Sequence, residues 1–179
     1  MDAKLFPDNP FWTFSLKLYA RPGVAPACLA LQGRRGLDVN VLLYCLWLGA
    51  ARGVAIDAGG AGSIVASVRA WNDGIVVRLR VLRTALKGDP HGAVATLGEA
   101  LRTDLKRVEL DAERIEQQIL FTQNWSDAPG ATPSQLIARA NVWAYLESMG
   151  IQPDSDDAAQ LGSILAGLDH EISALHART

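Results

Sequence analysis

Residues 38–53, DVNVLLYCLWLGAARG, decide the fold class, because the stretch is apolar almost all round when it is wound as a helix. A helix of this kind is buried on most of its sides, as in the core of a protein. Asp38 is a residue type that caps helix N-termini, and Gly53 is a residue type that ends helices. The stretch therefore predicts a central helix around which the other elements pack.

Turn signals divide the chain on both sides of this helix into segments of ordinary helix length. Asn9-Pro10 and Thr132-Pro133 each place a capping residue before a first-turn proline. Residues 54–62, VAIDAGGAG, predict a loop. The segments 63–72 and 75–87 are either two helices or one helix kinked near Gly74.

The longest unbroken pattern covers residues 92–123 and has apolar residues at steps of three and four. Such a seam is typical of helices that pack on other helices. The short connection GDPHG, residues 88–92, makes this helix the antiparallel neighbour of the segment before it. The seam consists of Val94, Leu97, Leu101, Leu105, Val108, Ala112, Ile115 and Ile119.

These segments predict an all-α protein, a single domain over residues 1–179 with six to eight helices in an orthogonal or antiparallel bundle. Residues 124–131, NWSDAPGA, read as a linker, and residues 132–177 as a C-terminal helix pair. No segment shows convincing strand alternation.

Composition excludes several classes of protein. The formal net charge of −2 argues against bulk electrostatic binding of nucleic acid, which needs a basic excess. The longest apolar run, residues 41–51, is too short for a membrane span, which takes about 20 residues. Cys28 and Cys45 lie in apolar segments, so we expect reduced, buried thiols in a cytoplasmic protein.

Motifs for catalysis, metal binding or cofactor binding are missing from the sequence. Gly59, Gly60 and Gly62 lack the spacing of a phosphate-binding loop, and no nucleophile elbow is present. The histidines are isolated and do not form a zinc motif. We therefore expect no catalytic residues, no metal and no cofactor.

Three glutamates on the long helix are the first candidate site. Glu109, Glu113 and Glu116 share one side of the helix, beside the apolar seam. A hairpin that turns near residue 90 would place Arg78 near Asp104 and leave Glu109 and Glu116 to find partners elsewhere. An ion-paired flank is the simplest interpretation, and the alternatives are a partner protein or a ligand pocket.

Aromatic residues crowd the first helix and form a second candidate site. Phe11 and Trp12 are adjacent, so they cannot share one helix face. One of them, Trp12 in our interpretation, is therefore a candidate for solvent or an interface, while core packing explains most of the others.

The opening of the chain resembles a proteobacterial family of short proteins that is classed as a domain of unknown function. The similarity covers residues 10–123 and is most specific in its first forty residues. It implies a bacterial cytosolic protein, and it supplies no activity and no catalytic residue. The residues that carry it are Phe11, Trp12, Phe14 and Ser15, then Pro22, Gly23 and Val24, then Cys28, Leu29, Leu31 and Gln32, and finally Asp38, Val39 and Asn40.

Our leading hypothesis is a non-enzymatic helical module that binds another protein or a second copy of itself, as an adaptor or a homodimer. The alternative is a small-molecule-binding protein or an enzyme, with a pocket among the first, third and sixth helices. Gln32, Asn40, Arg83 and Glu109 would line that pocket. The full set of candidate binding residues is Trp12, Gln32, Asn40, Arg78, Arg83, Glu109, Glu113 and Glu116.

Overall fold

The structure is a computed structural model that describes residues 6–87, 95–123, 125 and 132–176. These residues form an all-α bundle, which confirms the predicted fold class. The helices are α1 (Pro10–Tyr19), α2 (Val24–Arg35), α3 (Val39–Arg52), α4 (Ala58–Trp71), α5 (Val77–Ala85), α6 (Ala95–Phe121), α7 (Gln135–Ser148) and α8 (Ser155–His176), with a π-helical turn at Asn72–Val76. Within the described residues, no helix combines the length and the hydropathy needed to cross a membrane.

The apolar stretch quoted above forms α3, and it lies at the centre of the bundle as predicted. The side chain of Asp38 accepts hydrogen bonds from the backbone N–H groups of Asn40 and Val41, at 2.8 and 3.4 Å, and so caps the helix. Gly53 ends it in the left-handed region at φ 65°. Tyr44 and Trp47 stack with ring centroids 5.6 Å apart, and Phe11 of α1 meets the edge of Tyr44.

The close packing of α3 against α7 depends on one glycine. A Cβ atom built on Gly49 would lie 2.2 Å from the backbone nitrogen of Ala138. The carbonyl group of Gly49 also accepts a hydrogen bond from the backbone N–H of Ser134 at 2.9 Å. The two helices therefore approach each other backbone to backbone at this point.

An ion-pair network holds α8 against α2. Arg34 and Arg35 at the end of α2 contact Asp154 and Asp157 at the start of α8, with the Arg35–Asp157 pair at 2.6 Å. Cations near the C-terminus of one helix and acids near the N-terminus of another also complement both helix dipoles. These ion pairs therefore dock the start of α8 onto the end of α2.

Two of the predicted boundaries change in the structure. Helix α4 already begins at Ala58, so residues 58–62 of the predicted loop are helical, and the side chain of Asp57 caps them. Helix α7 begins at Gln135 with Ser134 as its cap, so Thr132-Pro133 lies before the helix and does not open it. Helices α4 and α5 join through the π-helical turn that contains Gly74, so the continuous helix is the one of the two predicted arrangements that the structure shows. The GDPHG connection, Val94 and most of the predicted linker lie outside the described residues.

The seam on α6 is buried over only half of its length. Ala112 is 5% exposed, and Ile119 packs against the core. Leu97 and Leu101, however, are 70% and 53% exposed. The seam, whose pattern is typical of helix–helix packing, is therefore buried against the core in the C-terminal half of α6, whereas Leu97 and Leu101 in the N-terminal half are exposed.

Both cysteines are buried, as predicted. Cys28 and Cys45 are each 0% exposed and unpaired. Burial raises the pKa of Cys28 to about 12, and it raises the pKa of Cys45 as well. Slow reaction of both thiols with alkylating reagents stays a prediction.

Candidate functional site

A cleft of about 600 Å³ separates the hairpin formed by α5 and α6 from helices α1, α2 and α3. Its apolar wall comes from the three N-terminal helices, with Leu110 of α6 facing it. Leu16, Leu29 and Leu110 are each at least half exposed in spite of their size. The apolar lining consists of Trp12, Leu16, Tyr19, Leu29, Val39, Leu43 and Leu110.

Three buried polar side chains form the floor of the cleft. Ser15 of α1 and Gln117 of α6 are each 3% exposed, and Asn40 of α3 is 7% exposed. The side-chain amide of Gln117 donates to Oδ1 of Asn40 at 2.8 Å. Neither Oγ of Ser15 nor Oε1 of Gln117 has a hydrogen-bond partner among the described residues. Tyr44, Trp125 and Asp157 also each have one buried polar atom without a hydrogen-bond partner among those residues, but Ser15 and Gln117 are the two of this group that line the cleft.

The wall formed by the hairpin is charged. Arg80 donates to Oε1 of Glu109 at 3.1 Å and to Glu113 at 3.0 Å. Arg83 donates to both carboxyl oxygens of Glu109. Glu109 itself is only 5% exposed. Charge-assisted and bidentate hydrogen bonds are the strong ones, so this cluster fixes α5 against α6.

The partner of Glu109 corrects the predicted register of the hairpin. The sequence argument left Glu109 without a partner on the preceding helix and paired Arg78 with Asp104. In the structure, Glu109 pairs with α5 itself, while Arg78 is exposed and Asp104 lies 3.7 Å from Arg107. Residues 86–94 separate the two helices, and a connection of that length does not fix which residues stand opposite each other.

Glu116 lies beneath the floor and is fully buried. Its two carboxyl oxygens accept hydrogen bonds from the side chains of Asn40, at 2.9 Å, and Asn72, at 3.0 Å. Burial, followed by the neighbouring Asp38 carboxyl group, raises the pKa of Glu116 to about 9. The interpretation of Glu116 as an ion-paired flank is therefore wrong, because amide groups rather than cations surround it.

Stability should fall as pH rises from about 5 to 9, because of Glu116. In this range the folded state keeps the proton of Glu116, while the unfolded state, with an ordinary carboxyl pKa, releases it. The unfolded state then binds fewer protons, so raising the pH favours unfolding. Glu116→Gln should remove this part of the decline, as measured by urea unfolding at pH 5, 7 and 9.

Glu147→Gln is the matched control for this measurement, because Glu147 is exposed on α7. It should leave the slope of stability against pH as it is in the parent protein. If the curves for Glu116→Gln and the parent run parallel, the buried carboxyl group does not hold its proton.

Six of the eight predicted binding residues line the cleft together. Glu116 lies directly beneath them, in contact with Asn40, whereas Arg78 does not line the cleft. The six are Trp12, Gln32, Asn40, Arg83, Glu109 and Glu113.

Ser15, Arg80 and Gln117 line the cleft but were not predicted as site residues. Ser15 belongs to the motif that carries the family resemblance, so a signal for it existed. Gln117 follows Glu116 on a polar stretch and gave no signal of its own. Within the described residues, no group of three or more His, Cys, Asp and Glu side chains could hold a metal ion.

Comparison with known proteins gives a family and no activity. Neither a curated protein nor a solved structure matches the chain. A family profile described as a protein of unknown function, DUF2390, matches residues 10–120. This match covers α1 to α6 almost to the end, and with them every residue of the cleft. The chain therefore belongs to the DUF2390 family.

Proposed function

We propose that the protein binds a small amphipathic organic anion in the cleft between the hairpin and the N-terminal helices, without transforming it. The proposal follows the alternative hypothesis drawn from the sequence, a small-molecule pocket among the helices, and not the leading one, a protein-binding adaptor or homodimer. A bacterial, cytoplasmic setting belongs to the same proposal and rests on the family resemblance and the two buried free cysteines.

The two partnerless atoms at the floor carry this proposal. A buried hydroxyl or carboxamide oxygen without a hydrogen bond costs about 1–3 kcal/mol, and at the cleft a ligand could recover this free energy. Ser15 can donate or accept, and Oε1 of Gln117 accepts. A ligand with a hydroxyl group at its inner end could satisfy both atoms, because the hydroxyl can donate to Oε1 of Gln117 and accept from Oγ of Ser15.

The shape and charge of the cleft indicate the rest of the ligand. A volume of about 600 Å³ lies within the range of small-molecule sites, about 300–1,000 Å³. The apolar wall suits a hydrocarbon or ring body. The lining carries four cations, Arg80, Arg83, Lys106 and Arg107, against two carboxylates, Glu109 and Glu113. Glu109 and Glu113 bind Arg80 and Arg83, and Arg107 lies 3.7 Å from Asp104. Lys106 is therefore the lining cation that is placed to attract an acidic group of the ligand.

Ser15→Ala tests the floor in the protein without ligand. Removing a buried hydroxyl that has no partner should raise the free energy of unfolding by about 1 kcal/mol. Ser163→Ala on α8 is the control, because it changes helix propensity equally while its hydroxyl is exposed and bonded to Ala159 at 3.2 Å. The gain in chemical denaturation should therefore be larger at Ser15 than at Ser163.

Titration calorimetry with two matched probes tests the ligand. We expect ω-hydroxydecanoate to bind about fivefold more tightly than decanoate, since one hydrogen bond contributes about 1 kcal/mol. Ser15→Ala should abolish this preference, and Lys106→Glu should weaken both acids. The proposal fails if neither acid binds, or if the preference for the hydroxyl group survives in Ser15→Ala.

A further inference from the structure

The cleft follows one row of side chains on α6, which we name the stripe. The residues of the stripe line the cleft and follow one another at steps of three and four. Residues at this spacing lie above one another on one side of a helix. The cleft therefore runs along α6 and does not cross it. The stripe consists of Thr103, Lys106, Leu110, Glu113 and Gln117.

The stripe also gives the cleft its length. Thr103 and Gln117 are about four turns apart, which is about 21 Å along the axis of an α-helix. Spread over this length, the volume of about 600 Å³ leaves a mean width of only about 5 Å. A space that is about four times as long as it is wide suits an extended chain better than a system of fused rings.

The two ends of the stripe offer different chemistry to a ligand. At the inner end, Oγ of Ser15 and Oε1 of Gln117 have no hydrogen-bond partner within the described part of the chain. Towards the outer end, Lys106 has no ion-pair partner in that same part. Lys106 lies three turns before Gln117, which is about 16 Å along the helix axis. Both side chains tilt towards the N-terminus of α6, so the tilt leaves this separation almost unchanged.

Helix α1 runs along the stripe in the opposite direction. Asn9, just before α1, donates to Oε1 of Gln118 at 3.0 Å. One turn further along α1, the ring of Trp12 lies 5.4 Å from the guanidinium group of Arg114, one turn earlier on α6. The two helices are therefore antiparallel, and this register brings Leu16 level with the middle of the stripe.

The space between the two ends is apolar. Leu110 in the middle of the stripe, Leu16 of α1 and Leu29 of α2 line the cleft, and each is at least half exposed. The carboxylate in this part of the stripe, Glu113, is bound by Arg80 at 3.0 Å. An alkyl chain that lies here would cover the three leucines while its two ends reach polar groups.

We propose that the ligand is an unbranched ω-hydroxy acid of about 12 carbons, which lies extended along α6 with its hydroxyl group at the floor and its carboxylate at Lys106. This inference rests on the proposed function of the cleft. Since a carbon–carbon bond measures about 1.5 Å, an extended chain advances by about 1.3 Å per bond, and about 12 carbons cover the separation of about 16 Å. The distance between Gln117 and Lys106 thus selects the length of the chain.

Titration calorimetry with a series of ω-hydroxy acids tests this selection. The series runs from 8 to 18 carbons in steps of two, at concentrations below those at which the acids form micelles. The acid of 12 carbons should bind at least fivefold more tightly than those of 8 and 16 carbons. The shorter chain does not reach Lys106, and the longer chain leaves methylene groups in solvent.

Moving the cation along the stripe provides a second test. The double variant Thr103→Lys/Lys106→Thr keeps the composition and shifts the charge outward by about 4.5 Å, so the preferred acid should be three or four carbons longer. Its control is Lys106→Thr/Val108→Lys, which keeps the charge but places it away from the cleft, because Val108 is exposed and does not line it. This control should have no preferred chain length.

The outcomes separate the chain-length inference from the proposed function. If no acid of the series binds, both are wrong. If the acids bind but the affinity rises steadily up to 18 carbons, the selection of length by Lys106 is wrong and the cleft remains a site for organic anions. The same holds if the parent protein and the variant Thr103→Lys/Lys106→Thr prefer the same acid.

Discussion

Gly49→Ala should destabilise the protein by about 3 kcal/mol or more, the largest effect that we expect from a single methyl group in this chain. The added Cβ would lie 2.2 Å from the backbone nitrogen and 2.4 Å from the Cα atom of Ala138. Both atoms belong to backbone and cannot rotate away as a side chain would. Helices α3 and α7 would have to separate, and the hydrogen bond from Ser134 to Gly49 would lengthen.

Gly162→Ala is the control for this experiment, because Gly162 lies inside α8 and an added Cβ meets no atom within 4 Å there. It should stabilise the protein by about 0.5–1 kcal/mol through helix propensity alone. Guanidinium unfolding monitored by circular dichroism gives both values. If both substitutions raise the free energy of unfolding equally, α3 and α7 can move apart without loss of stability.

The sequence predicted the helices well where their ends carry local signals. Asn9 and Asp38 cap the helices that follow them in the structure, and Gly53 ends α3 with a positive φ of 65°. These are interactions between residues two to four apart, so a single segment contains all the information. The central position of α3 also followed from its own composition.

Register and burial were harder to predict, because they depend on contacts between distant segments. The apolar seam of α6 indicated packing on other helices, but its pattern contains no information on which part of the seam the rest of the bundle covers. Leu97 and Ala112 occupy the same stripe and differ only in which helices lie beside them. The pairing of Arg80 and Arg83 with Glu109 depends in the same way on the connection of residues 86–94. The sequence gives the length of this connection but not its path.

Asn141 is a structural residue that the sequence did not reveal. It is 0% exposed in α7, donates to the carbonyl groups of Cys45 and Val54, and accepts from the N–H of Ile56 at 2.9 Å. Polar atoms of the turn after α3 therefore find their partners on a helix some 85 residues away. No local sequence pattern identifies such a residue, because an asparagine on the exposed face of a helix can have the same neighbours in sequence.

Removing Glu109 should have the second largest effect and tests what holds α5 against α6 within the hairpin. Glu109→Ala leaves the guanidinium groups of Arg80 and Arg83 without the carboxylate that binds both. Breaking a buried ion pair costs about 3–5 kcal/mol, and the 26% exposure of both arginine side chains reduces this to about 2–3 kcal/mol.

Glu113→Ala provides the comparison, since it removes a carboxylate from the same helix that binds Arg80 alone. Its side chain is 29% exposed, so the loss should be near 1 kcal/mol, as for a partly exposed pair. Urea unfolding of both variants measures the difference, and raising the salt concentration should narrow it only slightly because Glu109 is buried. Similar losses at the two positions would mean that the contact of Arg83 with Glu109 contributes nothing, and that apolar packing alone fixes the wall of the cleft.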